Sequence, residues 1–99
     1  MVKRCYNRLI IIGPARAIEQ LTRNDDWLRR MKAKHVVWLE LFPQRQLCEF
    51  TTDQPPLVYL RKLSLRWPTI IFLLSYEYSR TIGLVKAVKG KLEKCEIQY

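Results

Sequence analysis

Ninety-nine residues, 48% of them hydrophobic, suffice for one domain spanning 1–99 and leave no room for two cores. The formal charge of +9, from 18 Lys and Arg against nine Asp and Glu, favours a polyanionic partner. The longest apolar run near the N-terminus, Leu9 to Ile12, is far short of the ~20 residues that span a bilayer, and no cleavage-site pattern follows it, so a soluble cytoplasmic protein is expected.

In chain order, residues 3 to 12 read as a strand that stops at Gly13-Pro14. That pair starts a helix, with Gly13 as cap and Pro14 at the first helical position, where its missing N–H needs no partner. Ile18, Leu21 and Leu28 recur at helical spacing. Asn24-Asp25-Asp26 can recap a second helical piece carrying Trp27, Leu28 and Met31. "RRMKAK" then reads in part as a cationic helix C-terminus, complementing the macrodipole.

Residues 35 to 42 and 47 to 52 form a hairpin of strands around the turn Pro43 to Gln46. Asp53 or a nearby threonine is expected to cap the next helix. On that helix Leu57, Leu60, Leu63 or Ser64, and Trp67 share one face, with Arg61, Lys62 and Arg66 on the other. Pro68 ends it. Residues 69 to 78, 82 to 89 and 91 to 98 give three more strands, the last two joined at Gly90. The order is β-α-β-β-α-β plus a further strand or hairpin: an α+β, ferredoxin-like split βαβ pattern with two helices on one face of an antiparallel sheet.

Short motifs recur through this frame: Cys5, Asn7, Arg8, Leu9, Ile11, Gly13 and Pro14; then Phe50, Thr51, Pro55 and Pro56; then Pro68, Phe72, Leu74, Tyr76 and Glu77. Their order resembles the ferredoxin-like domain of a family of uncharacterised phage- and plasmid-borne proteins. The resemblance spans most of the chain outside residues 22 to 47. It implies a fold and a mobile-element or accessory context, and no established activity or catalytic residue.

Cys5, Cys48 and Cys95 are an odd, widely spaced set with no CxxC, which reads as buried or half-buried thiols. With His35 the single histidine, neither a zinc site nor a cysteine nucleophile is expected, and no cofactor. No phosphate loop, nucleophile elbow or dinucleotide fingerprint is present. A metal-independent nuclease would have to draw on His35, Tyr76 and Glu77, and the chain reads as a non-enzyme.

Strand alternation puts Cys5, Asn7, Leu9 and Ile11 on the helix side and Arg4, Tyr6 and Arg8 on the open side of the sheet. Asn7, as a buried amide, is expected to tie down a neighbouring loop such as "TTDQPP". Tyr76, Tyr78 and Arg80 share one parity and are expected to join the open face. Rings between cations suit base stacking beside phosphates; alternatively, Tyr6, Tyr76 and Tyr78 pack beneath the added strand or in a homodimer. The expected function is a small basic binding protein, with Arg4, Tyr6, Arg8, Arg61, Lys62, Arg66, Tyr78 and Arg80 contacting nucleic acid or an acidic protein surface. A nucleic-acid-handling protein that it inhibits is one such partner; a membrane is not. The alternative is a structural, homo-oligomeric domain.

Overall fold

The computed structural model describes residues 4–24 and 26–99. The elements are β1 (Cys5–Ile12), α1 (Ala15–Asn24), α2 (Trp27–Arg30), β2 (Lys34–Phe42), β3 (Arg45–Thr52), α3 (Leu57–Arg66), β4 (Ile71–Tyr78), β5 (Thr81–Val88) and β6 (Lys91–Gln98). The strands form one six-stranded sheet in the order β2-β3-β1-β4-β5-β6, every neighbour antiparallel. The fold is α+β, and both strands of the C-terminal hairpin are present.

Period-two alternation decides which face is buried. In β1, Cys5, Asn7, Leu9 and Ile11 are buried; in β4, Phe72, Leu74 and Tyr76 are. The register places Asn7 beside Tyr76 and Leu9 beside Leu74, so these residues share a face. Onto that face α1 packs Ile18 and Leu21, α2 packs Trp27, and α3 packs Leu60 and Leu63. Trp27 also meets Trp38 of β2 edge to face, ring centres 6.4 Å apart.

The helix starts differ from expectation. Ile18 N–H donates to the Pro14 carbonyl at 3.1 Å, so Pro14 occupies the cap position and Gly13 lies outside, donating to the Gln44 carbonyl. Pro56, not Asp53, holds the cap position of α3, with no side-chain capping bond. Asp26 precedes α2 without a capping bond, and Asp25 lies outside the described residues. The β2–β3 turn is tighter than expected, Pro43-Gln44 alone. Residues 69 and 70 belong to the turn before β4, where Ile70 N–H donates to the Trp67 carbonyl at 3.1 Å.

Two contacts fasten the hairpin to α3. The Gly90 N–H donates to Ser64 Oγ at 2.9 Å, and Arg61 Nε donates to the Gly90 carbonyl at 3.1 Å. Gly90 and Lys89 both have positive φ (79° and 51°), as the two-residue turn of a twisted hairpin requires. A Cβ on Gly90 would also collide with the Leu65 side chain.

Candidate anion-binding site

Asn7 behaves as the alternation predicts. Its Nδ2 donates to Thr52 Oγ1 at 3.0 Å and to the Cys5 and Phe50 carbonyls at 3.3 and 3.4 Å. Thr52 in turn donates to the Gln54 carbonyl at 2.7 Å. The buried amide thus pins the turn that leads into α3.

On the open face, Tyr6 and Arg8 are exposed, and Arg4 is exposed just before β1. Arg8 is not available as a bare cation: its Nε and Nη2 both donate to Glu49 Oε2, at 2.9 and 2.7 Å. A shallow cavity of about 400 Å³ beside this pair also presents Glu77 and His35. Among its described lining residues one guanidinium stands against two carboxylates, a balance that does not attract phosphate. Elsewhere on this face Arg45 pairs with Glu40 at 3.2 Å, and Lys86 stands opposite Glu93. Beside these pairs stand exposed apolar side chains, Val37, Ile82, Leu84 and Ile97.

Tyr76 and Tyr78 do not join Tyr6. Register with β1 puts Tyr76 on the helix side, where its hydroxyl donates to Glu96 Oε1 at 2.7 Å. Tyr78, two residues on, is partly buried against the core. Arg80 sits in the β4–β5 turn, where its Nε donates to the Tyr99 carbonyl at 2.9 Å. The nuclease candidates are divided in the same way: Glu77 and the exposed His35 border the open-face cavity, while the Tyr76 hydroxyl is held on the other side of the sheet.

The helix layer is different in charge. Helices α1, α2 and α3 carry seven cations and one carboxylate, Glu19, which pairs with Arg23 at 3.3 Å. Between α2 and α3 runs a groove of about 390 Å³. Trp27, Met31 and Leu63, all buried, form its apolar floor. Tyr59, 42% exposed, forms a wall, and Lys62 Nζ lies 5.9 Å from its ring centre. Arg30, Lys62 and Arg66 supply three cations, and among the described residues no acidic side chain lines the groove.

The structure therefore brings two of the expected helix cations, Lys62 and Arg66, into one site and turns the third, Arg61, onto the Gly90 carbonyl. Arg30 and Tyr59 were not anticipated. Arg30 lies in "RRMKAK", where helix-end cations explain themselves without a ligand, and Tyr59 falls outside the predicted apolar stripe of α3. Only the packing of α2 beside α3 joins them.

The thiols divide two to one. Cys5 and Cys48 are buried, which pushes them up to about 11 and about 12, Glu49 adding to the shift of Cys48. Cys95 is exposed rather than buried or half-buried. Among the described residues no three His, Cys, Asp or Glu side chains come together as a metal cluster, and no helix is long and apolar enough to cross a membrane.

No family model, curated protein or solved structure matches the chain.

Proposed function

We propose that the protein is a non-enzymatic binding module that holds single-stranded nucleic acid in the α2–α3 groove. One observation carries this reading: three cations and an exposed tyrosine surround an apolar-floored groove that, among the described residues, no carboxylate lines. Phosphates meet Arg30, Lys62 and Arg66, and a base stacks on Tyr59, the arrangement that sequence-tolerant single-strand binders use. The surplus of cations on the helix layer lengthens the electrostatic track beyond the groove.

The fold reading that accompanies it is a ferredoxin-like split βαβ core, β2-β3-β1-β4 with crossovers through α1 and α3, extended at its β4 edge by the β5–β6 hairpin. The resemblance to phage- and plasmid-borne proteins supports an accessory role in a mobile element, in which the module occupies nucleic acid or competes with a protein that handles it.

The test is fluorescence anisotropy with short single-stranded RNA, single-stranded DNA and duplex DNA across a salt series. Log-linear weakening with salt, abolished by Lys62→Glu, supports the groove. Binding that survives Lys62→Glu and Arg30→Glu together places nucleic acid elsewhere. A second reading, protein docking on the open face, is favoured by the exposed Val37, Ile82, Leu84 and Ile97.

A further inference from the structure

The sheet ends in two unlike edges. Strand β2 breaks register with β3 twice, between Lys34 and Val37 and between Trp38 and Glu40, and His35 has φ 55°. Such bulges blunt an edge against further pairing. Strand β6 has none: it pairs with β5 over all eight residues without interruption, and no other described strand pairs with its outer side.

The pairing also fixes which backbone groups face outward. Lys91 closes the two-residue turn opposite Val88, and Tyr99 N–H donates to the Arg80 carbonyl at 3.0 Å. Alternation along an antiparallel ladder then turns the N–H and C=O of Leu92, Lys94, Glu96 and Gln98 away from β5. These unpaired groups need a partner strand or water.

We propose that this edge pairs with β6 of a second copy of the chain, antiparallel, about a two-fold axis through Cys95. A two-fold axis normal to the sheet must pass through a residue position, because outward-facing groups pair only with outward-facing groups. An axis at Glu93, Lys94 or Glu96 sets like charges directly opposite one another, which destabilises a pair. An axis at Leu92 or Ile97 leaves only a short overlap. At Cys95, Lys94 lies opposite Glu96 of the second copy, and Glu96 opposite its Lys94, with no like charges facing. Within one chain Lys94 Nζ and Glu96 Oε1 are already 2.8 Å apart, so the four charges form one alternating cluster across the axis. The two Cys95 residues then form a non-hydrogen-bonded pair, with Cα atoms about 4.5 Å apart, inside the span a disulfide bridges. The assembly is isologous and joins two sheets into one. It uses none of the groove's side chains, so either reading can fail without the other.

The test is sedimentation equilibrium with three variants. The wild type is expected to run at twice its 11.9 kDa mass. Lys94→Pro removes an outward N–H while leaving the β5–β6 bonds in place, and is expected to run as a monomer with an unchanged circular dichroism spectrum. Lys94→Glu weakens the dimer at least tenfold, and Lys94→Glu with Glu96→Lys restores it. Diamide supplies an independent readout: it takes the two thiol hydrogens onto its N=N bond as the S–S bond forms. It should link wild-type chains quickly and Cys95→Ser chains not at all. A wild type that is monomeric at ~100 µM, or a dimer that survives Lys94→Pro, overturns the proposal.

Discussion

The ring of Tyr76 fills the space beside Gly83, its neighbour across the β4–β5 ladder, so that a Cβ on Gly83 would overlap the ring itself. The missing side chain makes room for an aromatic that caps the sheet and reaches β6, where its hydroxyl donates to Glu96. Gly83→Ala is therefore expected to lower stability by about 1–3 kcal/mol, measured by urea denaturation, and Tyr76→Phe by about 1 kcal/mol. In a Tyr76→Ala background the alanine at 83 should cost almost nothing, because the ring it strikes has gone.

Asn7→Ala leaves Thr52 Oγ1 and two strand carbonyls short of a donor. The expected loss is about 1–3 kcal/mol, read as a lower denaturation midpoint. Asn7→Asp is expected to be worse at neutral pH, since a carboxylate replaces the donor among acceptors, and to recover as acid protonates it.

The shifted thiols give an alkaline signature. Their folded values, about 11 for Cys5 and about 12 for Cys48, lie above the ordinary 9.0. Between those limits the unfolded chain has shed protons that the folded chain keeps. This part of the stability is therefore complete below pH 9 and lost as pH rises through 11 to 12. Melting curves should show that decline, and Cys48→Ala should flatten its upper end. A thiol reagent should find one reactive sulfur, Cys95, in the folded chain, and Cys5 and Cys48 as well in denaturant.

At the acid end the sign reverses. Bonds from Lys94 and from the Tyr76 hydroxyl hold the Glu96 carboxyl below its usual range. Its contribution is present above the ordinary carboxylate pKa and disappears as pH falls through the lowered folded value. Glu96→Gln should therefore make the acid limb of a stability profile shallower.

Groove and open face are separable by mutation. Arg30→Ala and Lys62→Ala should each reduce the salt slope of nucleic-acid binding by about 1. Arg8→Ala, whose cation is already matched by Glu49, should leave that slope unchanged while freeing Glu49. Equal losses from all three would place the anion on both faces.

Much of the frame is legible in the chain. Alternation in β1 reports which side of Asn7 is buried, and Gly90 between lysines marks its hairpin. Parity alone misleads at Tyr76: it relates residues within a strand, while the face shared by two strands depends on their register. Here Asn7 and Tyr76 lie side by side, so the tyrosine follows the amide to the helix side. The groove is hidden for a similar reason. Arg30 and Lys62 are 32 positions apart, and nothing in either segment announces that α2 and α3 lie together.

The contrast between the two sides of the sheet gives the molecule a direction. A ribbon of phosphates gripped by the helices would be coated by copies whose greasy strands all look away from it. The coated polymer would then meet its surroundings through matched ion pairs and apolar side chains rather than through bare phosphates. Condensation, or recruitment by proteins with apolar docking faces, would follow from Val37, Ile82, Leu84 and Ile97 standing uncovered.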